Sequence, residues 1–150
     1  PKPAMTADIV VLAKWEDSLR VLLIRRKGHP FLGKLALPGG FANENEPIEE
    51  TAARELAEET GVEGLSLELV GVYSAPGRDP RGWVVSVAFV SVVDASLLSV
   101  QAGDDAAEAD WFCFDGETLS RDGEQLAVDG LAFDHGKILR DAYKQAAQRG

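Results

Sequence analysis

Cysteine is almost absent. Cys113 is the one thiol among 150 residues, which excludes an internal disulfide. It lies between Phe112 and Phe114 in WFCFD, the setting expected of a buried structural thiol rather than a nucleophile. Histidine is equally scarce. His29 and His135 stand apart, read as a loop residue and a helix-start residue, and no Cys/His set has zinc spacing. No Ser/His/Asp arrangement is visible. No apolar run reaches the roughly eighteen residues of a membrane-crossing helix. The N-terminal PKPAMTADIVVLA has one lysine and a strand-like apolar run, without the cleavage pattern of a signal peptide. A cytoplasmic protein is therefore expected, with Pro1 implying a start residue ahead of it. Positive charge is in deficit: 15 Lys+Arg face 25 Asp+Glu, a formal net charge of −10. That excludes the basic surface of non-specific nucleic-acid binding. A nucleotide substrate stays open where metal ions and a few arginines supply local positive charge. Repeats, low-complexity tracts and linkers are missing too. With 45% hydrophobic and 27% charged residues, residues 1–150 are expected to form a single domain with its own core.

What is present is a regular succession of apolar runs. ADIVVLAKW and LRVLLIRRK read as two strands joined at EDS. GHPFLGKLALPGG is loop-rich, with a short apolar piece at residues 35–37. Residues 47–60 read as a helix, with Pro47 at its first position, Glu49 and Glu50 in its first turn and Gly61 as its C-terminal cap. LSLELVGVYSA and WVVSVAFVSVV read as long strands, the second covered on both faces, and ADWFCF as a further short one. DHGKILRDAYKQAAQ is a closing helix with an apolar stripe of Ile138, Leu139, Ala142, Tyr143 and Ala146. The expected class is α/β (α+β), with helices packed on a sheet.

The acidic helix carries the chemistry. At about 100° per residue, Ile48, Ala52 and Leu56 form an apolar stripe. Glu59 falls inside it, Glu55 beside it, and Glu58 further round, next to Arg54. The acids thus lie along the core margin instead of opposite it. Glu55 and Glu59 are like charges four residues apart, which costs a few tenths of a kcal/mol (about 0.2–0.5), and partial burial adds desolvation. A solvated acidic face is the plain alternative. A divalent cation would offset both costs, and carboxylates are the ligands Mg²⁺ or Mn²⁺ prefers. Arg54 is placed to pair with Glu58 or Glu50.

The longer pattern GFANENEPIEETAARELAEETGV sets Gly40, Glu46, Arg54, Glu55, Leu56, Glu58, Glu59, Gly61 and Val62 at fixed spacing. It resembles the Nudix box of the Nudix hydrolases at every defining position. The resemblance implies the Nudix fold, a mixed β-sheet sandwiched between α-helices, and hydrolysis of a nucleoside diphosphate linked to another moiety. It also implies that Glu55, Glu58 and Glu59 bind the metal, helped by a glycine carbonyl of LPGG (Gly39 or Gly40), and that Arg54 orients a glutamate. The general base is then a box glutamate (Glu55 or Glu58) or an acid of QAGDDAAEADWF: Asp104, Asp105 or Glu108. A solvated acidic turn is the alternative for that segment.

Four arginines are candidates for the substrate's phosphates: Arg25 and Arg26 in IRRKGHPF, and Arg78 and Arg81 in APGRDPRGW. Trp83 and Phe31 suit base stacking, although packing on a sheet face is the expected role of each. PFLGKLALPGGF, YSAPGRDPRGW, DDAAEADWF and LAFDH resemble the short ADP-ribose pyrophosphatase branch, as does Pro76 a little beyond the box. That branch implies ADP-ribose cleaved to AMP and ribose 5-phosphate, and frequent homodimers. In LAFDH, Asp134 is expected to cap the last helix and Phe133 to pack beneath it. Two alternatives stay open: a nucleoside triphosphate pyrophosphohydrolase, and a non-catalytic regulator that senses ADP-ribose. The second is weighed down by the intact box and by a chain that stops at Gly150, where no DNA-binding domain is expected.

Overall fold

The computed structural model describes residues 1–94 and 106–148. Two long apolar strands form its centre, β1 (Ala4–Trp15) and β2 (Ser18–Arg26). Both are rich in the β-branched and aliphatic residues that suit a doubly covered sheet. The short β3 (Leu35–Ala36) and β4 (Gly39–Phe41) follow, then the helix α1 (Ile48–Thr60). Next come β5 (Glu68–Tyr73), β6 (Val84–Asp94) and β7 (Ala106–Phe114). The hairpin of β8 (Thr118–Arg121) and β9 (Glu124–Ala127) leads through a 3₁₀ turn at Val128–Gly130 to α2 (His135–Gln148).

The strands make one mixed sheet in the order β5-β6-β1-β2-β7-β8-β9, with β3 paired to β2 and β4 to β1. β1 runs parallel to β6 and antiparallel to β2 and β4. Alternation along β1 divides the core in two. Ala7, Ile9 and Val11 join Ala52 and Leu56 of α1, while Val10 and Leu12 join Ile138, Leu139 and Ala142 of α2. This is the expected Nudix architecture, a sheet between helices.

β1 shares one edge between two partners. Thr6–Asp8 pair with β4, whereas Leu12–Trp15 pair with β2. Beyond that point β2 diverges and takes β3 as its neighbour, at Ile24↔Ala36 and Arg25↔Leu35. The segment running from β3 to β4 is thus wedged into a fork between β1 and β2. It carries Gly39 and Gly40.

Several local expectations shift. Pro47 precedes the helix with φ −58° and ψ 142°, extended backbone, so it is the cap residue and not the first helical one. Gly61 closes α1 in the left-handed region, φ 77°, its N–H donating to the Ala57 carbonyl at 2.9 Å. β5 is shorter than the apolar run that contains it. Cys113 is partly exposed, not buried. Phe112 and Phe114 fill the core on the α2 side, and strand alternation turns the thiol the other way. The β8–β9 hairpin, turning at Asp122–Gly123, was not expected.

Candidate active site

Arg54 is the hub of the box. Its Nε and Nη2 grip both oxygens of Glu46, at 2.8 and 3.0 Å. Its Nη1 donates to Glu55 Oε1 at 2.7 Å and more distantly to Glu58, at 3.3 and 3.4 Å. Nη2 also reaches the Phe41 carbonyl at 3.0 Å, tying α1 to the end of β4. Glu46 accepts further bonds from the Asn43 N–H and the Thr51 hydroxyl. Arg54 first, then those two donors, hold the Glu46 carboxyl down to about 2. Glu46, Glu55 and Glu58 in turn raise the Arg54 guanidinium above its ordinary range, with Glu46 the largest influence. Arg54 thus pairs with three carboxylates at once, and Glu50 is not among them.

The wheel positions of the acids are also met. Glu59 is 4% exposed, and one of its oxygens accepts the Gly39 N–H at 2.7 Å. The Glu55 side chain is 13% exposed and Glu58 51%. Two glycines let the wedge come this close. A Cβ on Gly40 would sit 2.5 Å from the Glu55 carboxyl. A Cβ on Gly39 would overlap the Ala7 carbonyl and Asp8 Oδ1.

Backbone and carboxylates therefore converge where Gly39 and Gly40 meet α1. Carboxylate and carbonyl oxygens are hard donors that suit Mg²⁺ or Mn²⁺. Among the described residues no three acidic, histidine or cysteine side chains already form a closed ligand cluster, and Arg54 supplies the positive charge between Glu55 and Glu58. The donor set fits a divalent cation in kind, with Arg54 standing among its ligands.

The four candidate arginines separate into two pairs. Arg25 bonds Glu108 across the β2–β7 ladder at 2.8 Å and reaches Glu124 of β9. Glu108 is thus a strand residue joined to Arg25 instead of a loop acid, and neither lines the cleft beside Gly39 and Gly40. Asp104 and Asp105 lie outside the described residues. Arg78, with its side chain 4% exposed, lines the cleft, but its fork is committed to both oxygens of Asp134 at 2.7 and 2.8 Å. That pairing explains why Asp134 does not act as a side-chain cap for α2; its backbone carbonyl receives the first helical N–H groups instead.

Arg26 and Arg81 also line the cleft. Arg81 chelates Asp79 at 3.0 and 2.7 Å and lies between two rings, 4.6 Å from Phe41 and 4.9 Å from Phe133. Arg26 donates to the Pro30 carbonyl and lies 4.9 Å over the same Phe133. Burial and then the Arg81 charge pull the Arg26 pKa down, against Glu59, Asp79 and Asp8. Two cations sharing one ring in a partly dry cleft favour an anion between them. Phe31 packs edge-on against Phe133 at 4.8 Å, whereas Trp83 is 57% exposed and not packed on a sheet face.

Asp8, His135, Asp79 and Phe41 also belong to this site and were not anticipated. Asp8 had a signal: one acid inside the apolar run ADIVVLA is costly unless something meets it.

The comparisons agree with this geometry. The model of the NUDIX domain matches residues 3–129. An ADP-ribose pyrophosphatase of Methanocaldococcus jannaschii is 43% identical over 93% of this chain and 72% of that protein. A MutT/nudix family protein of Enterococcus faecalis superposes with a TM-score of 0.90 at 40% identity, over 99% of this chain; the chain spans 63% of that protein's length. The NUDIX domain of Shewanella oneidensis NrtR, solved with ADP ribose, gives a TM-score of 0.80 at 28% identity, over 97% of this chain and 90% of that domain. With the glutamates, Arg54 and the glycine wedge arranged as described, the chain belongs to the Nudix hydrolase family.

Proposed function

We propose that residues 1–150 form one hydrolase domain acting on a nucleoside diphosphate-linked substrate, with ADP-ribose converted to AMP and ribose 5-phosphate. The observation that carries this reading is the convergence of Glu55 and Glu59 on the Gly39–Gly40 backbone, with Glu58 joined to Glu55 through Arg54, beside a cleft rimmed by Arg26 and Arg81. Glu55, Glu58, Glu59 and a carbonyl of Gly39 or Gly40 would hold Mg²⁺ or Mn²⁺. When bound, the cation neutralises diphosphate oxygens and acidifies a water.

Each residue has a distinct task in this scheme. The Gly39 N–H fixes the orientation of Glu59, and Arg54 that of Glu55. Glu58 is the most exposed of the three and has only long contacts to Arg54, so it is the group best placed to take a proton from the attacking water. Glu108 is the alternative base, available only where its pair with Arg25 opens toward the cleft. Arg26 and Arg81 face the anionic substrate, while Arg25 and Arg78 serve by bracing the strands and loop around it. The relative's name and the ADP ribose bound to the Shewanella domain favour ADP-ribose among the diphosphates.

The likeness to that NrtR domain also supports a second reading, an ADP-ribose-binding regulator without turnover. The complete and fully bonded box favours the enzyme. One experiment separates them: a panel of ADP-ribose, NADH, dinucleoside polyphosphates and nucleoside triphosphates, with Mg²⁺ or Mn²⁺ and product identification. AMP and ribose 5-phosphate are expected from ADP-ribose. Pyrophosphate release from a triphosphate as the main reaction would sink the ADP-ribose assignment. Tight ADP-ribose binding with no product from any of these nucleotides would favour the regulator.

A further inference from the structure

Leu37 sits at the joint of the wedge, between β3 and β4, and is 2% exposed. Its N–H has an unusual acceptor. The donor reaches Nδ1 of His135, the first residue of α2, at 3.0 Å in a buried contact. An Nδ1 that accepts carries no proton, so the ring hydrogen is on Nε2. Nε2 faces Asp8 Oδ1 at 3.4 Å. Asp8 is 6% exposed, and its other oxygen accepts from the Ser86 hydroxyl at 2.5 Å. Asp8 Oδ1 also backs directly onto Gly39, where a Cβ would come within 2.5 Å of it. From the opposite side Gly39 donates to Glu59. A continuous line of contacts therefore runs from Ser86 through Asp8 and His135 to the Leu37 N–H, and two residues later to Glu59.

We infer that His135 is a positioning residue, held by Asp8, whose Nδ1 sets the wedge over α1 and thereby aims Gly39, Gly40 and Glu59 at the cation. The geometry stands on its own; only the cation rests on the proposed function. The wedge lies in the fork where β1 and β2 separate, and at Leu37 neither of those strands provides an acceptor. A buried N–H without one is costly, so the imidazole holds the segment at Leu37, between the β2 pairing at Ala36 and the Ile9 N–H that donates to the Pro38 carbonyl. A structural histidine would serve stability alone. A positioning histidine makes metal affinity follow the Nδ1 acceptor.

The test compares His135→Asn, whose amide oxygen can replace Nδ1, with His135→Gln, whose amide reaches the Nε2 position. Three readouts are taken on the full ¹⁵N-labelled chain: the imidazole ¹⁵N shifts, Leu37 and Gly39 amide exchange in metal-free protein, and Mn²⁺ affinity by titration. The parent is expected to show the Nε2–H tautomer. His135→Asn is expected to keep Leu37 protection and Mn²⁺ affinity within about threefold, while His135→Gln loses about tenfold or more in each, with the fold retained. An Nδ1–H tautomer, equal Mn²⁺ affinity in the two variants, unchanged Leu37 exchange in His135→Gln, unfolding of His135→Asn, or no Mn²⁺ binding by the parent would each overturn the inference. A parent that binds Mn²⁺ with this pattern yet fails to hydrolyse ADP-ribose counts against the proposed substrate and leaves the inference standing.

Discussion

Arg78 and Asp134 meet fork to fork, Nε to Oδ2 at 2.8 Å and Nη2 to Oδ1 at 2.7 Å. This joins the connection between β5 and β6 to the residue preceding α2. The guanidinium is 4% exposed, so it depends on its partner. Asp134→Asn is expected to destabilise the protein by about 3 kcal/mol, because a buried cation is left without full compensation. Urea unfolding measures this, and a loss below about 1 kcal/mol would show that other groups hold Arg78.

The lowered Glu46 carboxyl makes stability depend on acidity. Its pKa falls from an ordinary 4.5 to about 2 on folding, so between those values the unfolded chain binds more protons. The stabilisation is fully present above the upper value and is lost as pH falls through the window. In Glu46→Gln that pH-dependent part is absent. Unfolding curves from pH 5 downward should therefore converge for the two proteins, and a gap that stays constant would contradict the pairing.

Adjacent glycines should respond differently to the same methyl group. In Gly39→Ala the new Cβ meets the Ala7 backbone, which cannot yield, and a stability loss of about 1–3 kcal/mol is expected. In Gly40→Ala its three nearest neighbours are atoms of the Glu55 carboxyl, the end of a side chain that can swing away. That variant should keep its melting temperature within a few degrees while losing turnover. Calorimetry and initial rates on both proteins check the contrast.

Glu59→Gln preserves an acceptor for the Gly39 N–H but removes the charge. The fold should survive, while turnover drops at least 10–100-fold, roughly the scale seen when the partners of metal ligands are removed. Full activity in this variant would remove Glu59 from the metal site.

Of the four arginines, Arg26 should matter to substrate and Arg25 should not. Arg26→Ala is expected to raise KM about tenfold, as for loss of one charge-assisted contact. Arg25→Ala breaks partly exposed contacts to Glu108, Glu124 and the Gly33 carbonyl, and both KM and stability should change little. The reverse order in steady-state kinetics would reassign the anion site to the β2–β7 ladder.

Much of this was legible in the sequence because short-range periodicity encodes it. The box spacing fixes α1, the burial order of Glu59, Glu55 and Glu58 follows from helical angle, and Gly61 marks the helix end. Glu108 was less readable, since no local pattern says that Arg25 lies opposite it in a ladder 83 residues apart. Arg78 and Asp134, 56 residues apart, and Leu37 and His135, 98 apart, are likewise products of tertiary closure. The β8–β9 hairpin did have a local signal, Asp122–Gly123, of the kind that favours a tight turn. Trp83 was misjudged because an aromatic beside an apolar strand usually packs, and here it lies one residue before β6 begins.

The forked edge of β1 separates the frame of the cleft from its rim. Main-chain pairing outlines the opening that receives the glycine wedge, and His135 and Glu59 meet the wedge from below and beside it. Residues 27–34 and 74–83 border it, and within them the Arg78–Asp134 and Arg81–Asp79 pairs brace the rim from outside the β1–β4 ladder. A substitution at an exposed point of the rim would therefore alter what the cleft presents while leaving the main-chain frame beneath it in place.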